Sequence, residues 1–266
     1  MKFSLLLFFI LNGLHGFSQW GDTYQPAAIY KQNNVRSRIL MYDYNRYRTR
    51  VVDNFDHNGL VIEHIEYDTT GVRCRTRSEM QYDSNLNLIS ETSFSYFHFD
   101  SLTKKAVLTA IPDTIKIIFE HDDKGRIIKK THVNAAGKIF YERIYGFEPF
   151  MVTERSFNKD SINLEIILYY DVLYIEKRSF STFHYPDGRI RKWNYTYKNK
   201  FDRFGKIKRR SVKGEFYPED PDKPDIYFRE QDYQYTSTGL LIKRMSTDCN
   251  DNSTRRFSVV FDYEFW

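Results

Sequence analysis

Phe55-Asp56-His57-Asn58-Gly59-Leu60-Val61-Ile62, Tyr67-Asp68-Thr69-Thr70-Gly71-Val72-Arg73 and Tyr82-Asp83-Ser84-Asn85-Leu86-Asn87-Leu88-Ile89 say nearly the same thing three times in one short stretch. Each copy is an aromatic residue, an Asp, two turn-prone residues, a Gly (Leu86 in the third copy) and a return to apolar or charged alternation. A glycine in the left-handed region closes a three-to-five-residue hairpin loop with a bulge, and an Asp at the turn start accepts hydrogen bonds from the backbone two residues on. The unit is a β-hairpin turn.

Five further copies follow. They are Phe119 to Ile128 around Gly125, Val133 to Phe140 around Gly137, His184 to Ile190 around Gly188, Phe201 to Ile207 around Gly205, and Tyr235 to Leu241 around Gly239. The residue two after the Gly position is Val61, Leu88, Ile127, Ile139, Ile190, Ile207 or Leu241, with Arg73 as the exception, and it is the first to face the core. Gly59 to Gly71 and Gly125 to Gly137 are both twelve residues apart, the equal arms that an antiparallel meander needs. The final strand alternates cleanly, with Phe257, Val259, Phe261, Tyr263 and Phe265 on one face. The runs Ile166 to Tyr170 and Val172 to Ile175 leave strand or helix open over 162–178; β-branched and aromatic residues favour strands there. The expected fold is all-β: one antiparallel meander of consecutive hairpins forming a curved or partly rolled single sheet.

These units resemble the tyrosine-aspartate (YD) repeats of the Rhs family. The resemblance covers about half of the chain beyond its leader, in scattered units. It implies a secreted or surface β assembly of consecutive hairpins, which in large members curls into a shell around a toxic domain. This chain is too short to enclose a passenger, and nothing after Gly239 reads as a toxin, so the shell-and-toxin function is not carried over.

Lys2, the apolar run Leu5 to Leu11 and the small residues Gly16 and Ser18 are the parts of a secretory leader. The expected organisation is a signal peptide at 1–18, an irregular lead-in at 19–38 and a single repeat-built β domain at 39–266. The protein is then exported to the periplasm, the outer-membrane region or the exterior. After the leader no segment is long and apolar enough to span a membrane as a helix. In an oxidising compartment Cys74 and Cys249 either pair as a disulfide or sit as buried thiols.

Composition leans to strands, with 17% aromatics, 22 Phe and 21 Tyr against 12 Gly and 7 Pro. A net charge of +5 is too mild to argue for nucleic acid. The run Lys198 to Lys213 carries eight basic residues against Asp202. It reads as the solvent face of a hairpin, or less favourably as a grip for phosphate or acidic glycan. His121-Asp122-Asp123 and Asp248, Asn250, Asp251, Asn252 match turn chemistry better than a calcium loop. No catalytic, metal or cofactor motif is present. The expected function is a non-enzymatic binding or structural module whose partner is a glycan or an envelope protein; the alternative is a carrier shielding a lipid or apolar ligand.

Overall fold

A computed structural model describes residues 27–44, 47–68, 70–100, 105–158, 161–170, 176–185, 187–217, 225–250 and 253–266. The leader at 1–18, the run 172–175, the prolines of 218–224 and the pair Asp251, Asn252 lie outside the described residues. One helical turn, α1 (Ala27–Gln32), precedes sixteen strands. These are β1 (Val35–Tyr44), β2 (Tyr47–Phe55), β3 (Val61–Tyr67), β4 (Cys74–Tyr82), β5 (Leu88–Asp100), β6 (Lys105–His121), β7 (Ile127–Asn134) and β8 (Ile139–Glu148). The second half comprises β9 (Met151–Asn158), β10 (Ser161–Tyr170), β11 (Glu176–His184), β12 (Ile190–Phe201), β13 (Ile207–Tyr217), β14 (Asp225–Tyr235), β15 (Leu241–Asn250) and β16 (Ser253–Phe265). The expected strand in the ambiguous segment is present as β10.

Every strand pairs antiparallel with its predecessor, and β16 pairs with β1 from Tyr44↔Phe257 to Val35↔Phe265. The meander is therefore a closed barrel, which corrects the expected curved or partly rolled sheet. The cause lies at the chain ends. β16 presents its alternating apolar residues in register with Leu40 and its neighbours, and closure removes both edges that an open sheet would expose.

The turns have one geometry. Gly59, Gly71, Gly125, Gly137, Gly188, Gly205 and Gly239 all have φ between 73° and 99°, and Leu86 takes the same role at φ 66°. In the first turn the Gly59 N–H donates to the Asp56 carbonyl, while Asp56 Oδ1 accepts from the N–H groups of Asn58 and Leu60. Asp83, Asp122, Asn134 and Asp202 repeat the side-chain arrangement. A register shift accompanies seven of the eight turns, as the bulge requires.

At the rim where the chain enters and leaves, two turn-start tyrosines and one in the last strand have a second task. Tyr82 donates its hydroxyl to the Val61 carbonyl, Tyr235 to that of Ile207, and Tyr263 to that of Leu241. Each reaches back to the residue two after the Gly of the preceding turn on that rim. Burial raises the Tyr82 and Tyr263 hydroxyls far above their ordinary value, so both remain donors. Tyr82→Phe removes one such bond and is expected to cost about 1 kcal/mol in urea unfolding. An unchanged midpoint would show that the tyrosine acts by packing alone.

Two apolar clusters close the first sector of the wall. Leu40, Val51, Tyr233, Leu241, Val259 and Phe261 form one; Tyr30 of α1 packs with Val35, Phe55 and Leu240 in the other. Gly59 lies so close to the Ala27 carbonyl that a Cβ there would collide with it, which is how α1 seats on the β2–β3 turn.

Candidate functional site

Strand alternation assigns each side chain to one of two walls. Arg38, Leu40, Asp53, His64, Phe119, Lys130, Glu154, Gln231, Tyr233, Val259 and Phe261 are buried and share the concave inner wall. Their sequence neighbours Glu63, Arg77, Lys129, Arg155, Arg209 and Lys213 point outward.

The outer wall is charged at mid-strand. Ion pairs join Arg77 to Glu63 and Glu79, Lys129 to Glu142, Arg155 to Glu165, Arg209 to Asp232 and Lys213 to Glu215, at 2.7 to 2.9 Å. A barrel that spans a bilayer needs an apolar outer band about 25 Å tall, and each Lys or Arg at its middle costs about 2–4 kcal/mol. This wall has no such band among the described residues. The basic run 198–213 is divided by the same alternation, with Arg210 buried inside and Arg209 and Lys213 paired outside. It forms no patch.

The inner wall is polar, and its openness varies around the barrel. Between β11 and β14 the inner wall carries a group of half-exposed aromatic side chains beside buried residues such as Ser179, Val212 and Gln231. Phe183 lies 4.9 Å from Tyr185 and 6.5 Å from Trp193, and Trp193 lies 5.2 Å from Phe216 at 33°. Arg191 rests over the rings of Tyr185 and Phe216 at 5.2 and 5.9 Å. On the next row Tyr195 and Tyr227 converge over Gly214, where a Cβ would meet both rings. Arg229 covers Tyr227 and Phe257 while binding Asp248 at 2.6 and 3.0 Å. Burial raises the Tyr195 and Tyr227 hydroxyls, so both are protonated donors. Flat rings interleaved with guanidinium groups make a wall that can stack on planar or ring-shaped polar molecules.

Across β5 to β9 the inner wall carries Glu91, Lys130, His132, Arg143, Glu154 and Ser156. Lys130 is almost fully enclosed, with its ammonium 5.7 Å from the Phe119 ring and 5.3 Å from Tyr145. Burial, with Arg143 beside it, pushes Lys130 down to about 8. Burial with the Arg143 and Lys130 charges pushes His132 down to about 4, and burial raises Glu91. Because the His132 value is depressed on folding, the unfolded chain binds the extra proton between pH 6.5 and 4. Stability is therefore expected to fall as pH drops through that window. His132→Gln should flatten that part of a urea-midpoint profile; an identical slope would acquit the ring.

The turn glycines Gly59, Gly71, Gly125, Gly137, Gly188, Gly205 and Gly239 sit at the rims and hold no ligand-facing group. Both cysteines are free, Cys74 at the start of β4 and Cys249 in β15. The shorter way round the wall takes five strand spacings of about 4.8 Å each, beyond disulfide reach. Asp122 accepts from its own turn and from Arg126, and Asp248 is held by Arg229. Among the described residues no group of three or more His, Cys, Asp or Glu is placed to hold a metal. The aromatic wall was not foreseen as a unit. Its signal was present as Phe183, Tyr185, Trp193, Tyr195 and Tyr197 at every second position, interrupted by the Gly188 turn.

The fold is a closed antiparallel barrel of sixteen strands. A porin-like protein from Bacteroides vulgatus ATCC 8482 superposes with a TM-score of 0.52, over 86% of this chain and 98% of that chain, at 8% identity. A porin-like protein from Bacteroides uniformis ATCC 8492 gives 0.43 over 87% and 97% at 7% identity. A TcdB2-TccC3 structure gives 0.28 over 82% of this chain and 15% of that one, at 11% identity. No protein-family model matches the chain, and no curated protein matches it in sequence. No helix among the described residues is long and apolar enough to cross a membrane.

Proposed function

We propose that this is an exported, non-enzymatic barrel that stands free of the bilayer and binds an oligosaccharide along the inner wall of β11–β14. The carrying observation is the half-exposed run Phe183, Tyr185, Trp193, Phe216, Tyr195 and Tyr227 with Arg191 and Arg229 between the rings. Aromatic faces on a rigid sheet offer sugars stacking at low entropic cost, and guanidinium groups supply donors for hydroxyl and carboxyl oxygens. The charged outer wall supports a water-filled location over a lipid one. The carrier reading is weaker, because a lipid tail in this lumen would lie against Arg143, Arg191 and Arg229, charged and half-exposed on the inner wall.

Titration calorimetry against neutral and acidic hexasaccharides tests the reading. At least one is expected to bind, and Trp193→Ala should weaken it tenfold or more while far-UV dichroism stays unchanged. No binding across the set, or binding indifferent to Trp193→Ala, overturns it. The protein should also partition into the aqueous phase of a detergent cloud-point separation; recovery in the detergent phase would refute the bilayer-free placement.

A further inference from the structure

The pair Lys130↔Arg143 sets two cations directly opposite each other across β7 and β8 on the inner wall. Like charges in that relation destabilise a sheet, and Lys130 is enclosed, where the repulsion is less screened, while Arg143 is about one-third exposed. Arg143 is answered in part, since its Nη1 donates to Glu154 at 3.0 Å. Its Nε–H has no acceptor. Lys130 has no carboxylate within ion-pair distance; Glu91 and Glu154 act on it only at longer range, and Glu91 is itself shifted toward its neutral form. Arg143 pairs in turn with Ser156 on β9, which is wholly buried and whose hydroxyl has no partner. Lys130, Arg143 and Ser156 are thus three consecutive members of one ladder row, each with an unused donor.

We propose that this row is an anion subsite that takes a carboxylate or sulfate group of an acidic glycan. An anionic oxygen beside Lys130 offsets the cation pair and accepts from the Arg143 Nε–H and the Ser156 hydroxyl, which stand without a partner together with the neighbouring Tyr145 hydroxyl. The other titratable groups facing the row are Glu154, held by Arg143, Glu91, whose carboxyl burial shifts upward, and His132, neutral at pH 7. The row also leads to the aromatic wall. Ser156 pairs with Leu164, Leu164 with Phe183, and Phe183 with Arg191. From Phe183 to Ser156 is two strand spacings and to Lys130 four, roughly 10 and 19 Å, so an oligosaccharide of several units can stack on Phe183 and reach the row with an acidic substituent.

This subsite rests on the sugar-binding reading only for the rest of the ligand, and the experiment separates the two. Calorimetry compares hexagalacturonate with the neutral galactose hexamer on the wild type, Lys130→Met and Ser156→Ala. Methionine fills the lysine's place with an apolar chain of similar volume, so the fold survives the change. The proposal expects hexagalacturonate to bind tenfold or more tightly than the neutral hexamer, and Lys130→Met to erase the difference. Equal binding of the two sugars, or a preference that survives Lys130→Met, overturns the subsite while leaving the sugar-binding reading intact. If neither sugar binds, the sugar reading fails, and inorganic sulfate decides the subsite. A rise of the Lys130 pKa by half a unit or more on sulfate addition, read by NMR of the ammonium, supports it; no change overturns it.

Discussion

Asp53→Ala is expected to lower the unfolding free energy by about 3–5 kcal/mol, because it leaves a guanidinium buried without its counter-ion. Arg38 and Asp53 have no exposed side-chain surface, and Arg38 donates from Nε and Nη2 to Asp53 Oδ2 at 3.1 and 2.7 Å. The other carboxylate oxygen lies 2.6 Å from His64 Nδ1, and Arg38 Nη1 donates to the Tyr30 hydroxyl at 2.6 Å. The four groups tie α1 to β1, β2 and β3. Arg38 also lies over the faces of Tyr30 and Phe261 at 5.5 and 5.8 Å, contacts that carry no negative charge. Urea unfolding checks the loss. The double variant Arg38→Met with Asp53→Leu should be more stable than Asp53→Ala alone, since apolar replacement of a buried pair is often neutral or favourable. A single-variant loss below 1 kcal/mol would mean that water reaches Arg38.

Deleting residues 253–266 is expected to abolish cooperative unfolding altogether. β16 is hydrogen-bonded to both β15 and β1, and it supplies Val259 and Phe261, both buried in the larger apolar cluster. It also carries Tyr263, which donates to the Leu241 carbonyl, and Trp266, which donates its N–H to the Asn34 carbonyl and stacks on His57 at 4.1 Å. Its loss opens two long edges at once. The expected result is soluble aggregate on size exclusion and a broad thermal transition. A monomer with a sharp melt near that of the full chain would show that closure contributes little.

What the sequence made legible follows the range of the interaction. The eight turns are local: Asp56 answers Asn58 and Leu60 within four residues, so the aromatic-Asp-Gly spacing carries the whole instruction. The alternation of Phe257 to Phe265 likewise exposed which residues of the last strand face inward. Closure was not legible, because Leu40↔Phe261 joins residues at opposite ends of the chain, and no spacing within either strand announces its partner. The same distance hid the candidate site. Lys130, Arg143 and Ser156 become neighbours only through register, and Trp193 meets Phe216 only after β12 has turned into β13. Arg38, Asp53 and His64 likewise meet only through the pairing of β1, β2 and β3.

The backward-reaching tyrosines give the wall a direction of growth. Tyr82 fastens onto a turn made earlier in the chain, Tyr235 does the same, and Tyr263 does so last. For a polypeptide delivered N-terminus first, each hairpin arrives to find its docking carbonyl already in place, so assembly can advance as a ratchet in which later arrivals secure earlier ones. One seam is exempt. The outer edge of β1 waits for β16, with Ser37 and its partner Glu264 separated by 227 positions, so that strand is the longest-lived adhesive surface during delivery. Its protection until the final segment arrives sets the interval in which nascent copies are most prone to stick to one another.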